Sequence, residues 1–158
     1  MKIIILAIIG LGMLAVGLLG AVKRSTGYDL EPLMRFYADH YSIEYALVKA
    51  VAKVESNLNQ DAKNPSDPSY GLMQITPILA QDYGYVKDWK NPTPAEIAAL
   101  MNVNNNLDIG CHYLSDLLED FLFEEAVQMY NVGRSGYLNG KRNYDYLDKV
   151  RKYYEIYQ

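Results

Sequence analysis

Glu55 is the residue of this chain best placed to move a proton. It follows Val51 and Val54 at the carboxyl end of a segment whose apolar residues, Ile43, Leu47, Ala50, Val51, Val54 and Leu58, recur every three or four positions. That spacing belongs to a helix with one buried face. A carboxyl on the margin of such a stripe loses part of its hydration. Desolvation disfavours the charged form and raises the pKa. A carboxyl still protonated near neutral pH is the general acid that glycosidic bond cleavage requires. Ser56 and the polar loop after it would turn this acid toward a cleft. Periodicity by itself also allows a plainer reading, a surface carboxylate at a helix end.

Other chemistries find less support. There is no glycine-rich phosphate loop. The two histidines, His40 and His112, read as helix-surface residues, so no metal and no other cofactor is expected. The single cysteine, Cys111, excludes an internal disulfide, and nothing in the sequence points to a histidine working with it or with a serine as a nucleophile would need. The chain has 158 residues and a net charge of −4. Ile3 to Val22 carry no charge, and the charges flanking them are basic: Lys2, Lys23 and Arg24. Setting those three aside leaves 12 of the 15 basic side chains against all 19 acidic ones, a net −7. No basic surplus remains to displace counterions, so nucleic acid is not the expected partner. Fifteen tyrosines against three phenylalanines and one tryptophan suit wet surfaces and sugar rings, because tyrosine joins a flat apolar face to a polar tip.

The elements that must position Glu55 follow from caps and periodicity. Residues 1–24 read as a transmembrane anchor or signal segment. As a helix, the 20 residues Ile3–Val22 span about 30 Å, the thickness of a bilayer's hydrocarbon core. The small-x-small stretch Ala15-Val16-Gly17 lies inside the run, and Leu19-Gly20-Ala21 has a bulky residue where cleavage wants a small one, so an uncleaved anchor is favoured over a cleaved signal. Basic residues on both flanks leave the orientation open. Residues 25–158 form the single remaining domain, expected outside the cytoplasm. Asp29 caps a helix over about 30–40, with Pro32 in its first turn. Ser42 is expected to cap the next, about 43–57. Residues 57–70 are a loop by composition, and 70–75 an apolar patch. Thr76-Pro77 opens a brief helix ending at Gly84, and Thr93-Pro94-Ala95-Glu96 has the form of a capping box. A helix carrying Leu107, Cys111, Leu114, Leu117 and Leu118 follows Asn104-Asn105-Asn106, then two more over 124–130 and 144–157. No strand is expected. The fold class is mainly α.

An ordered set of motifs carries a resemblance. Glu55-Ser56 at a helix end is followed by a polar loop with Asn59, Ala62 and Ser66, then by Gly71-Leu72-Met73-Gln74-Ile75 and Pro77. Asn106, Gly110, Tyr113 and Leu114 come next, then Ala126 and Tyr130-Asn131-Val132-Gly133, and finally Tyr146-Leu147 with Lys149-Val150. Over about residues 38–155 the chain resembles the catalytic domain of the soluble lytic transglycosylases, relatives of goose-type lysozyme. The resemblance implies a lysozyme-like, mainly helical fold with a cleft for peptidoglycan glycan strands. It implies cleavage between N-acetylmuramic acid and N-acetylglucosamine, with Glu55 as the lone catalytic acid and 1,6-anhydro product ends. Gln74 would hydrogen-bond the sugar's acetamido group and Met73 would pack beneath it, though Met73 reads equally as core. Tyr130 and Asn131 would line the cleft with Ser56, and Tyr146 would hydrogen-bond the acid. The sugar-binding loop serine falls on Ser66 or is replaced by Asn64, because the loop is one residue longer than usual. Asn106 and Gly110 are expected to hold helices together rather than touch sugar. Met129 and Val132 stand where the family usually has alanine, so they would narrow the cleft or repack the core.

Hydrolysis by two carboxylates is the alternative within the enzyme class. Asp61, Asp67 and Asp82 are the nearest second acids, and each reads as loop or helix-start chemistry. The alternative outside it is a non-catalytic glycan-binding assembly protein. The expected settings are local wall opening for a secretion or conjugation machine, or for phage entry from the virion.

Overall fold

The computed structural model describes residues 29–158, which contain eight helices and one two-residue-deep hairpin. The expected anchor or signal over 1–24 lies outside the described residues. Among those described, no helix is long and apolar enough to cross a membrane. The helices are α1 (Leu30–His40), α2 (Tyr45–Ser56), α3 (Pro77–Asp82), α4 (Pro94–Met101), α5 (Val103–Asp120), α6 (Phe123–Val132), α7 (Arg134–Leu138) and α8 (Tyr144–Tyr157). Strands β1 (Lys63–Asn64) and β2 (Ser69–Tyr70) pair antiparallel between α2 and α3.

The caps explain most boundaries. The Asp29 carboxylate accepts the Glu31 N–H at 3.1 Å, Thr76 accepts that of Leu79, and Asn143 accepts that of Tyr146. Thr93 and Glu96 form the expected reciprocal box. Each cap satisfies an N–H that the first helical turn leaves unpaired.

Three expectations need correction. Ser42 caps nothing. It sits at φ 54° in the turn that closes α1, and Glu44 holds the cap position of α2 without a side-chain bond. The 57–70 segment is not loop throughout, since four of its residues pair as the hairpin. Two-residue strands are too short for alternation to register in a sequence. Asn104 to Asn106 do not precede α5 but lie in its first turns, because Asn102 takes the cap, accepting the N–H groups of Asn104 and Asn105. Helix α7 was not expected at all: five residues containing Gly136 leave no periodic signal.

The core forms around α2, which buries Ala46, Leu47, Val48, Ala50, Val51 and Ala52. Helices α1 and α8 pack on α2, and α5 packs on α1, α4 and α6. Leu72, Met73, Leu100, Leu107, Ile109, Leu114 and Val150 complete the interior. Met129 is wholly buried beside Leu117 and Ala126, so the larger residue at that position repacks the core. Val132 instead faces the groove described below.

Candidate active site

Helix α2 ends where Asn57 adopts a left-handed conformation, φ 57°, and Leu58 follows at φ 62°. That reversal leaves Glu55 in the last turn, partly buried, at the edge of an open groove of about 1120 Å³. One carboxylate oxygen accepts the Tyr146 hydroxyl at 2.6 Å. Tyr146 is 6% exposed, at the start of α8, the helix packed along α2. Burial pushes the Glu55 carboxyl up to about 7, and the Tyr146 hydrogen bond opposes the rise. The Tyr146 hydroxyl is itself held well above its ordinary value, by burial first and then by Glu55. It therefore stays a donor throughout the working range, and it fixes which way the acid points.

The second support of the site is the turn after β2. Tyr70 and Ile75 exchange backbone hydrogen bonds at 3.0 and 2.9 Å, closing a tight loop with Gly71 at φ 77° and Gln74 at φ 51°. Asn106, fully buried in α5, holds this loop with its whole side chain. Its oxygen accepts the Met73 N–H at 2.7 Å, and its amide donates to the Tyr70 and Leu100 carbonyls at 2.7 and 2.8 Å. A Cβ on Gly71 would run into this side chain, and one on Gly110 would meet the Met73 sulfur at 2.5 Å. Close approach, as well as positive φ at Gly71, requires glycine at both positions. Ser56 donates to the Leu72 carbonyl at 2.7 Å, and Tyr130 donates to the Met73 carbonyl at 2.9 Å. The loop thus ties the end of α2 to α5 and α6.

Of the expected site residues, Glu55, Gln74, Tyr130 and Asn131 line the groove. Ser56, Ser66, Met73 and Tyr146 do not. Met73 is wholly buried, so its packing is against Gly110. Ser56 works inside the loop, and Tyr146 lies behind the acid. Of the two candidates for the loop position, Asn64 lines the groove and Ser66 does not, and the Asn64 side-chain oxygen accepts the Ser66 N–H at 3.1 Å. Gln74 is already engaged. Its oxygen accepts the Ser69 hydroxyl at 2.7 Å and its amide donates to the Gly71 carbonyl at 2.9 Å.

Tyr113, which belongs to the motif set but has no role assigned in it, also lines the groove, and so do Tyr83, Asp116, Arg134 and Leu138, which no sequence motif singles out. Asp116 accepts the Tyr83 hydroxyl and lies 3.7 Å from the His112 ring nitrogen, a pairing whose four-residue spacing on α5 was there to be noticed. Arg134 bonds Asp120 at 2.8 Å. Among the described residues no three His, Cys, Asp or Glu side chains gather as a metal site would need. The arrangement can hold one protonated carboxyl at the margin of an open groove that Tyr83, Tyr113 and Tyr130 help to line, which places a proton donor where a bound ligand would lie.

Comparison with known proteins agrees. The model of the transglycosylase SLT domain family matches residues 32–152. Membrane-bound lytic murein transglycosylase E of Buchnera aphidicola is 36% identical over 85 residues, covering 54% of this chain and 38% of the relative. Membrane-bound lytic murein transglycosylase C of Yersinia enterocolitica is 34% identical over 91 residues, 58% of this chain and 25% of the relative. The protein IpgF of Shigella flexneri is 28% identical over 129 residues, 75% of this chain and 76% of the relative. The chain thus spans between a quarter and two fifths of the two murein transglycosylases. The solved structure of an inactive mutant of lytic transglycosylase Slt from Pseudomonas aeruginosa superposes with TM-score 0.53 at 18% identity, over 80% of this chain and 22% of that one. The fold is the lysozyme-like, mainly helical one.

Proposed function

The chain belongs to the transglycosylase SLT domain family, and from that premise we propose that it is a peptidoglycan lytic transglycosylase with Glu55 as its single catalytic acid and base. Glu55 donates its proton to the glycosidic oxygen as the bond from that oxygen to the muramic C1 breaks. The carboxylate so formed takes the proton of the same muramic unit's C6 hydroxyl, whose oxygen bonds to C1. Glu55 regains its proton, the product carries a 1,6-anhydro end, and no water is consumed. An intramolecular nucleophile supplies the proximity that a second carboxylate would otherwise organise.

The observation that carries this reading is the state of Glu55, a carboxyl raised to about 7 by burial, aimed by Tyr146, at the margin of an open groove of about 1120 Å³. Gln74, Tyr130 and Asn131, with Asn64, are the side chains from which sugar contacts come. The described geometry favours structural parts for Ser56 and Met73, and an aiming part for Tyr146. Glu55→Gln is expected to abolish cleavage of purified peptidoglycan while the chain stays folded. Mass analysis of the released muropeptides then reads the mechanism, since anhydro ends are lighter by one water than the reducing ends a hydrolase would leave. Retained cleavage by Glu55→Gln would overturn the assignment of the acid, and reducing ends would make the protein a muramidase.

The apolar run Ile3–Val22 and the membrane-bound relatives support a tethered enzyme with its domain outside the cytoplasm. From the membrane such a domain reaches only nearby wall, which suits local opening for a secretion machine or a phage. Fractionation of cells expressing the full chain, with and without residues 1–24, tests the tether.

A further inference from the structure

The groove is not the only hollow on α5. A second one, of about 440 Å³, lies between the end of α1 and the far flank of α5, lined by His40, Ser42, His112, Ser115 and Glu119. Asp116 lines both. Helix geometry explains the sharing. At roughly 100° per residue, positions 113, 116 and 117 face the groove, and 112, 115, 116 and 119 face a direction a quarter-turn or so further round. Asp116 stands on the ridge between them.

The ridge is built of flat rings rather than aliphatic side chains. The His112 ring stacks on Tyr41 at 4.8 Å and 21° on the hollow side, and packs against the groove residue Tyr83 at 4.7 Å. Asp116 stands between the two rings, accepting the Tyr83 hydroxyl, with the His112 ring nitrogen 3.7 Å away. Tyr41 is locked from below by Asp108 at 2.7 Å, and its carbonyl accepts the Ser115 hydroxyl. The His112 and Asp116 side chains are nevertheless 46% and 44% exposed, so a ligand leaving the groove meets them directly. Beyond them the hollow offers imidazole, hydroxyl and carboxylate groups, a donor and acceptor mixture suited to sugar hydroxyls and amides, beside ring faces on which sugars pack.

We propose that the glycan-binding surface continues over this ridge, with the hollow between His40 and Glu119 holding a further stretch of the same strand that lies in the groove. The inference rests on the proposed function, because it takes the groove's ligand to be a glycan polymer. Its consequence is length dependence: strands long enough to cross the ridge bind more tightly than those that fill the groove alone.

The test uses the full chain carrying Glu55→Gln, titrated with labelled oligomers of alternating N-acetylglucosamine and N-acetylmuramic acid, four and eight sugars long. The affinity ratio, long over short, is measured before and after adding His112→Ala or Glu119→Ala. Each is expected to lower the ratio at least fivefold. Glu119 lines only the hollow, so its variant answers the question even if loss of His112 disturbs Tyr83. A ratio unchanged within twofold in the Glu119 variant overturns the inference and leaves the proposed function standing. Failure of the Glu55→Gln chain to bind either oligomer overturns both.

Discussion

Replacing Glu55 with glutamine should stabilise the protein, and by an amount that depends on pH in a calculable way. In the folded chain the carboxyl sits at about 7, against an ordinary 4.5, because burial penalises its ionised form. The folded state therefore holds this proton more tightly than the unfolded state does. Below about 4.5 both states are protonated and the site carries no penalty. As pH rises from there through about 7, the unfolded chain gives up its proton first, and stability is lost until the folded carboxyl has also ionised. Each tenfold in proton affinity is about 1.4 kcal/mol, so the loss accumulated by pH 8 is about 3 kcal/mol. Glutamine has nearly the same shape, accepts the same Tyr146 hydrogen bond and never ionises. Its advantage over the wild type should thus grow by about 3 kcal/mol between pH 4 and pH 8. For a domain of this size that is roughly 10 °C in Tm. Urea denaturation of both proteins at pH 4, 6 and 8 measures it. A difference that stays flat across this range would mean that Glu55 is solvated like any surface acid, and the account of its chemistry would fail with it.

The same proton predicts the rate profile: cleavage should fall about tenfold per pH unit above about 7, where the acid form disappears. Tyr146→Phe removes the bond that restrains the rise, so its alkaline limb should move to higher pH while kcat drops, as a pH series on purified peptidoglycan would register. Asn106→Ala leaves the buried Met73 N–H and Leu100 carbonyl without this partner, while the Tyr70 carbonyl keeps the Ile75 N–H. It should cost about 3–5 kcal/mol in denaturant melts; a loss under 1 kcal/mol would show that water replaces the side chain. Among alanine substitutions at glycine, Gly71 should be the most damaging, being both left-handed and pressed against Asn106. Gly110 should follow at about 1–3 kcal/mol, since only the flexible Met73 must yield. Gly84, left-handed but with open space around it, should cost about 1 kcal/mol. Calorimetry on the three variants checks the order.

What the sequence determined was whatever depends on near neighbours. Caps such as Asp29, Thr76 and Thr93 act within one turn, and the apolar period of 43–58 needs only a helix and a core. The place of Glu55 on the margin of that stripe allowed either a raised proton affinity or a plain surface carboxylate, and the packing of α8 against α2 decides between them. The expected order of helices, the mainly helical class and the structural part of Asn106 are all present. What tertiary structure decided was anything requiring partners far apart in the chain. Gln74 reaches the groove already held by Ser69 and Gly71, bonds that exist only once the 71–74 loop is bent. Met73 left the groove because Gly110, 37 positions later in the numbering, opens a slot for its sulfur. Tyr83 and Asp116 became groove residues because the turn that closes α3 meets α5 through their hydrogen bond, joining side chains 33 apart in sequence. Local chemistry is written in the spacing of residues, because caps and hydrophobic stripes are short-range. A cleft is the space left between elements, and no single stretch of chain encodes its walls.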